Sequence, residues 1–394
     1  MPSLSRWAFF MTQAALLTVL DSVLVQGFPL DKALARAEFG RHKSEGVQAA
    51  QHLVRFARRY AALAGRNWPV KSQDLSALLA AWQAMEKPSL PLKVKPLNLD
   101  KAQLAAVKAD PVLWESYPDW LYQKMAQALP QWPALAQALN KPPAQYLRAN
   151  SLLGDAKALK EALRAEGVQC DALDQDCVRL KRFANVFRTQ AFAQGRFEQQ
   201  DWGSQQVAAL LAAQPGMTVI DACAGAGGKT LALAAQMGNK GRLLAMDIFD
   251  GKLQALRKRA RRAGVHNLET RLIEGSAIIK RLKGKADRLL LDVPCSGVGV
   301  LRRNPDCKWT LANDHIDNLV AIQRQILDSY PRMLKPGGLL VYATCSLLPQ
   351  ENELQVADFI ERSQGQFVLE SEQTLSPLTG DTDGFYMALL RRQQ

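Results

Sequence analysis

Two cysteines stand where a thiol is hard to explain as packing. Cys295 lies in the run Asp287-Arg-Leu-Leu-Leu-Asp-Val-Pro-Cys-Ser-Gly297, and Cys345 in Leu339-Leu-Val-Tyr-Ala-Thr-Cys-Ser346. In each run an apolar stretch of strand character ends in a turn that carries the thiol, and the first also delivers Asp292 to the same edge. A buried cysteine is usually an inert small hydrophobe, and that reading suits Cys223 and Cys307. Thiols at two adjacent strand ends are placed instead for nucleophilic chemistry, because a thiolate adds to electrophilic carbon and leaves again.

A third motif, Val219-Ile-Asp-Ala-Cys-Ala-Gly-Ala-Gly-Gly-Lys-Thr230, reads as a buried strand, a glycine-rich turn and the start of a helix. Gly225, Gly227 and Gly228 let backbone N–H groups approach a ligand at a helix N-terminus. A phosphate-binding P-loop needs glycine five places before Gly228, where Cys223 stands, and a dinucleotide loop needs glycine at 230, where Thr230 stands. An S-adenosylmethionine site needs a tight turn for the methionine moiety and an acid after the second strand for the ribose hydroxyls. Asp247 is placed for that task.

The elements that must position these groups follow from periodicity. Strands are expected at Thr218 to Asp221, Arg242 to Asp247, Glu269 to Ile273, Arg288 to Asp292 and Gly338 to Thr344, separated by helical stretches. That alternation gives a mostly parallel sheet covered on both faces, with ligands beyond the carboxyl ends of its strands. Candidates at Gln366 to Glu370 and Gly384 to Arg391 would add an antiparallel edge hairpin. Residues 1 to about 140 read as all helix, with apolar faces at Trp7 to Gln26, Gly46 to Ala64, Asp74 to Met85 and Leu121 to Leu129, and a proline-bearing connector at Glu86 to Leu97. Between them a small piece, 141–199, carries a strand at Gln145 to Ser151 and a helix at Asp155 to Glu166, which leaves 200–394 as the third region.

Lysine and arginine number 50 against 37 acidic residues, a formal charge of +13, so a polyanionic partner is expected. The stretch from Gly251 to Thr310 holds 15 basic and 5 acidic residues, and its position around the motifs favours RNA as that partner. Affinity for RNA is expected from Arg257 to Arg262 and from Arg302 and Arg303. The run Arg179, Lys181, Arg182 and Arg188 reads as a solvated face. Six cysteines without a secretory signal indicate a reducing, cytoplasmic setting, and four histidines show no zinc spacing, so no metal site is expected. The apolar run Trp7 to Val25 carries Asp21 and reads as an amphipathic core helix rather than a membrane span. A monomer is expected.

Together these motifs resemble the Sun-type family of RNA 5-methylcytosine methyltransferases, closest to its bacterial ribosomal RNA members. The resemblance extends through Ser116-Tyr-Pro-Asp-Trp-Leu121, Tyr146-Leu-Arg-Ala-Asn150, Gln199-Gln-Asp-Trp-Gly-Ser-Gln-Gln206, Arg302-Arg-Asn-Pro-Asp-Cys-Lys-Trp309, Gln350-Glu-Asn-Glu353 and Asp383-Gly-Phe-Tyr386. It implies an α/β fold, with a Rossmann-like class I methyltransferase sheet forming an S-adenosylmethionine-dependent catalytic domain over 200–394, a helical N-terminal RNA-binding domain over 1–140 and a small central α/β piece over 141–199 that contacts RNA. It also implies a cofactor loop at Cys223, Ala224, Gly225, Ala226, Gly227, Gly228 and Lys229, a ribose-binding acid at Asp247, an active-site aspartate at Asp292, the nucleophile at Cys345 and a product-releasing cysteine at Cys295.

The chemistry such a family performs accounts for the thiols. Cytosine C5 is too weak a nucleophile to attack a sulfonium methyl, but thiolate addition at C6 makes an enamine whose C5 can. Asp292 would polarise the base, as an acid at N3 or as an acceptor for the exocyclic amine, and Lys229 would favour the thiolate. Two departures stand out: Gly225 and Ala226 replace the family's alanine and proline, and Ser276 occupies the place of the adenine-side acid, with Glu274 nearby as an alternative. The implied substrate is small-subunit ribosomal RNA, with transfer RNA or a catalytically silent ribosome assembly role as the alternatives.

Overall fold

Seven strands form the main sheet of the computed structural model, which describes residues 4–394. Four shorter strands precede them in the chain: β1 (Tyr146–Ala149), β2 (Cys170–Ala172), β3 (Cys177–Leu180) and β4 (Phe197–Gln199). The seven are β5 (Thr218–Asp221), β6 (Arg242–Asp247), β7 (Leu268–Leu272), β8 (Ala286–Asp292), β9 (Leu334–Thr344), β10 (Phe367–Leu375) and β11 (Phe385–Arg392). Their order is β10-β11-β9-β8-β5-β6-β7. Neighbours from β9 to β7 pair in parallel, and β11 pairs antiparallel with both β9 and β10, which is the edge hairpin expected from the sequence. The chain winds outward from β5 through β6 and β7, then returns to lay β8 on the other side of β5. The carboxyl ends of β5 and β8 therefore flank a topological switch point, where α/β sheets open a binding crevice. Ile220, Leu244, Leu289, Leu291 and Leu340 are buried on one face of this sheet and Val219, Leu243, Leu290 and Val341 on the other, the two-sided burial that makes these strands continuously apolar.

The small sheet has the order β2-β3-β1-β4, all pairs antiparallel. The helix Ala156–Ala165 packs Leu159 and Leu163 against it, and its N-terminus is capped by Asp155, which accepts a hydrogen bond from the Ala158 amide at 2.8 Å. Only β1 and this helix are legible as elements in the sequence. β2, β3 and β4 are three or four residues long and carry Asp171, Arg179 and Glu198, too short and too polar for an alternating pattern.

The chain divides into two compact units, one of residues 4–142 with 301–313 and the other of 143–300 with 314–394. In the first, the helices Lys43–Arg55, Ala57–Leu63 and Leu75–Glu86 and the first helix, Leu4–Leu20, share a core that includes Leu16, Leu20, Leu53, Tyr60, Leu78 and Leu79. The helix expected over Gly46 to Ala64 is interrupted at Phe56, whose backbone leaves helical geometry. Leu16, Val19, Leu20 and Val23 bury the apolar face of the N-terminal run, and no helix among the described residues is long and apolar enough to cross a membrane.

The motif Arg302 to Trp309, which the sequence places among the catalytic elements, is part of the helical unit. The Lys308 ammonium is fully buried there. It donates to Asn140 Oδ1 at 2.6 Å and lies within 3.2 Å of the carbonyls of Arg55, Glu115 and Ser116, over the Tyr117 ring at 3.8 Å. Burial holds it well below the usual lysine range, with Arg55 adding to the effect. Trp309 Nε1 donates to the Val54 carbonyl at 2.8 Å, and the Arg55 guanidinium donates to the Arg302 carbonyl at 2.7 Å.

Candidate active site

Each strand end at the switch point contributes one group. β5 ends in Asp221, β6 in Asp247, β8 in Asp292 with Cys295 in the following turn, and β9 runs directly into Cys345. The turn after β5 leads into the helix Gly228–Gln236, and its first residues reach back to the strands: Lys229 Nζ donates to Asp292 Oδ2 at 2.7 Å and Thr230 Oγ1 to Asp221 Oδ2 at 2.7 Å. Burial alone would lower the Lys229 ammonium, but the Asp292 carboxylate outweighs it and holds the group above its ordinary range, with Cys345 among the groups that add to this. Lys229 also lies 5.5 Å from the centre of the Phe385 ring.

The sulfurs of Cys295 and Cys345 are 3.4 Å apart. The hydrogen bond with Cys345 and burial hold the Cys295 thiol well above the usual cysteine range, so Cys295 is a thiol at neutral pH. The loops that carry the two cysteines are clamped by Glu351. Its Oε1 accepts from the Ser296 amide at 2.8 Å and from Gln323 Nε2 at 3.0 Å, and its Oε2 accepts from the hydroxyls of Ser296, at 2.5 Å, and Ser346. Backbone contact is equally close. The Gly299 amide donates to the Cys345 carbonyl at 3.0 Å, and a Cβ on Gly299 would stand 2.3 Å from the Gly384 carbonyl oxygen, so only glycine permits the three loops to meet.

The glycine turn is built to face a ligand. Gly227 has φ of +90°, and a Cβ there would lie 2.0 Å from Leu256, whereas Gly225 has φ of +54° with open space where a side chain would project. Asp247 anchors the turn by accepting from the Gly225 amide through Oδ2 at 2.8 Å and from the Phe249 amide through Oδ1 at 2.9 Å. Each carboxylate oxygen keeps a lone pair, enough for a pair of vicinal ribose hydroxyls. Ile248 and Phe249, exposed just beyond Asp247, offer an apolar edge for a purine. The residues therefore fit S-adenosylmethionine. Burial, with the carboxylates of Asp221, Asp292 and Asp247, pushes the Cys223 thiol well up, so this cysteine shapes the turn as a neutral group.

Two arginines that sequence reasoning gave no place in the cofactor loop hold it from behind. Arg148 donates to the Gly228 carbonyl at 2.6 Å and to Gln200, and burial lowers it to about 10. Arg259 donates to the Ala226 carbonyl at 2.6 Å and to Glu198 at 2.9 Å. Arg262 pairs with the same Glu198 and stacks on Phe192 at 3.8 Å. This narrows the expectation that RNA affinity rests on the stretch Arg257 to Arg262 and on Arg302 and Arg303, since several of these side chains have partners within the protein. Arg257 donates to Thr270 at 2.6 Å, Arg259 and Arg262 are committed to Glu198, and Arg302 is 2% exposed; of the helix Asp250–Arg262 only Lys252, Lys258 and Arg261 present exposed cations.

Asp221 and Glu351 were also missed as site residues. The signal for Asp221 was its place at the end of β5, and for Glu351 the Gln350-Glu-Asn-Glu353 motif. Glu274 lies exposed in the turn after β7, just past Ile273, whose amide donates to the Asp247 carbonyl at 2.9 Å, and Ser276 is the exposed first residue of the helix Ser276–Arg281.

The sheet order, the glycine turn and the acid at the end of β6 define a class I S-adenosylmethionine-dependent methyltransferase. Residues 208–391 match the family described as 16S rRNA methyltransferase RsmB/F, and residues 117–187 match the ferredoxin-like domain described for the same group. The ribosomal RNA small subunit methyltransferase B of Pasteurella multocida is 33% identical over 312 residues, 75% of this chain and 69% of the relative. The chain spans about two thirds of the length of such relatives. The chain belongs to the RsmB/F family. Among solved structures, PH0851 superposes with a TM-score of 0.78 at 21% identity, covering 96% of this chain and 98% of that one. NSun6 from Pyrococcus horikoshii with SFG superposes at 0.65 and 20%, covering 71% and 99%. Both likenesses concern the fold.

Proposed function

We propose that this protein methylates C5 of a cytosine in small-subunit ribosomal RNA through a covalent bond between Cys345 and C6 of the base. The observation that carries the reading is the pair of sulfurs 3.4 Å apart at the ends of neighbouring strands, beside the Lys229–Asp292 ion pair. S-adenosylmethionine, bound along the glycine turn and Asp247, supplies the methyl group.

Cys345 passes its proton to solvent water and attacks C6 as the thiolate, forming the S–C6 bond while the electrons of the C5–C6 double bond become available at C5. Lys229 provides positive charge near the attacking sulfur. It occupies Oδ2 of Asp292, which leaves Oδ1 to accept from the exocyclic amine and orient the ring. After C5 is methylated, the Cys345 sulfur must leave C6 with its bonding pair while C5 gives up its proton. Cys295, kept as a thiol, donates its S–H to the departing sulfur and takes the C5 proton in exchange, so the double bond is restored and both thiols are regenerated. The choice of ribosomal RNA rests on the named activity of the relatives.

The test is bisulfite sequencing of total RNA from cells with and without the gene, paired with transfer of a labelled methyl group to purified small-subunit RNA. One 16S cytosine that loses protection without the gene is expected. Protection lost from transfer RNA instead would redirect the substrate, and no label transfer to any RNA would defeat the reading.

A further inference from the structure

A solvated face does not account for the segment that follows β3. Phe183 is 76% exposed and Phe187 53% exposed, and they alternate with Lys181, Arg182 and Arg188, all exposed. This loop is not slack. Gln145 grips Ala184 by both backbone groups, accepting its amide at 3.1 Å and donating to its carbonyl at 3.0 Å, and Thr189 Oγ1 closes the turn on the Val186 carbonyl at 2.7 Å. Val186, between the two rings, is buried and pins the loop from beneath. Phe187 is braced edge-on by Phe192 at 5.0 Å, and Phe192 is in turn held between Phe197 at 5.6 Å and the Arg262 guanidinium at 3.8 Å. A rigid ring is thus presented to solvent with its own support behind it. Of the neighbouring cations, Lys181 faces Asp171 at 3.5 Å, while Arg182 and Arg188 make no ion pair among the described residues.

We propose that Phe183 and Phe187 are a stacking platform for unpaired bases of the RNA substrate, with Arg182 and Arg188 on the adjoining phosphates. Aromatic faces read bases only where these are unstacked from a helix, so the platform selects single-stranded RNA, and the cations match its backbone charge. The inference deepens the RNA-methylating reading and rests on it.

The test measures binding of a labelled single-stranded RNA 12-mer, and of a duplex of equal length, to the full chain. Phe183→Ala and Phe187→Leu are each expected to weaken single-strand binding by about fivefold or more, with the salt dependence unchanged because no counterion is involved. Phe187→Trp, which keeps a π face, should restore it. Arg182→Ala and Arg188→Ala should flatten the salt dependence. The KM for structured RNA should rise in the phenylalanine variants with kcat at saturation unchanged. Unchanged single-strand affinity in both phenylalanine variants overturns the proposal, as does rescue by neither tryptophan nor tyrosine at 187. A concentration-dependent dimer that disappears in Phe183→Ala also overturns it, by showing a protein partner. Binding needs no methyl transfer: if wild-type protein methylates no RNA yet the variants lose single-strand affinity, the platform stands and the catalytic reading fails.

Discussion

Cys295 Sγ lies 3.4 Å from Cys345 Sγ, and the contact raises the Cys295 thiol well above the ordinary cysteine range. Two thiolates at that distance would repel, so the pair favours one anion and one donor. If Cys345 is the nucleophile, Cys345→Ala should abolish methylation and leave no RNA adduct. Cys295→Ala should still attack and methylate but release slowly, so protein should accumulate as an RNA-linked band on a denaturing gel. The reverse pattern would exchange the two roles, and full methylation by both variants would remove covalent catalysis.

Asp247 joins the cofactor turn to β6 through its bonds to the Gly225 and Phe249 amides. Asp247→Ala should weaken S-adenosylmethionine binding by roughly tenfold or more, because bonds to a charged group contribute about 1.5 to 3 kcal/mol and the turn loses its anchor as well. Asp247→Asn, which keeps one acceptor oxygen, should lie between. Calorimetric affinities equal to wild type in both would take the residue out of the cofactor site.

The parts of this fold visible in the sequence are those whose burial is local. β5 and β6 run over the residues expected, because two-sided burial makes each a continuous apolar run ending at a charged residue. β9 starts earlier, at Leu334 rather than Gly338, since Lys335, Pro336 and Gly337 break the apolar pattern while remaining in the strand. What escaped detection depends on partners far along the chain. Arg259 and Arg262 look like a solvated or RNA-facing stripe until Glu198, some sixty positions away, is placed against them. Lys308 looks like one more surface cation until the carbonyls of Arg55, Glu115 and Ser116 surround it. Charge patterning reports how many cations there are, and only the tertiary structure reports which are committed.

That cage supports a stability prediction. Lys308→Ala takes the donor from Asn140 Oδ1 and from the Arg55 and Ser116 carbonyls, while the Glu115 carbonyl keeps Asn140 Nδ2 at 2.7 Å, at about 1 to 3 kcal/mol for each group left buried and unsatisfied. The helical unit should therefore unfold at a clearly lower denaturant concentration. A midpoint equal to wild type would show that water replaces the ammonium without loss.

Asp221 gives the protein a pH dependence. Burial raises its carboxyl from 3.8 to about 7, against the smaller opposing effects of the Thr230 hydroxyl, the Lys229 ammonium and the Cys223 amide, while Asp292 adds to the rise. Between about pH 4 and pH 7 the folded protein therefore holds a proton that the unfolded chain has lost. Its contribution to stability is complete below that window and falls as pH rises through it. Asp221→Asn has no such proton to lose, so the stability of wild type relative to this variant should decline from pH 4 to pH 7 and then level. A difference that is flat, or that grows with pH, would place the carboxyl in its ordinary range.

Glu351 fixes how the two cysteine loops meet, since Ser296 and Ser346, each directly following a cysteine, donate to the same carboxylate oxygen. The residue is fully buried, so its effect on the reaction must pass through the placement of Cys295 and Cys345. Glu351→Gln keeps the shape but replaces one acceptor oxygen with a donor, so either both serine hydroxyls or the Ser296 amide and Gln323 Nε2 lose their acceptor. Misplacement of a reacting group by about 1 Å can cost a hundredfold in rate. We expect kcat to fall by about tenfold or more with the KM for RNA and the affinity for S-adenosylmethionine unchanged, because neither binding surface is touched. Glu351→Asp, which retains the carboxylate on a shorter arm, should recover part of the rate. A variant that loses affinity for both ligands in step with kcat would show a general loosening of the domain, and one with full kcat would show that the serine clamp has no part in setting the sulfur-to-sulfur distance.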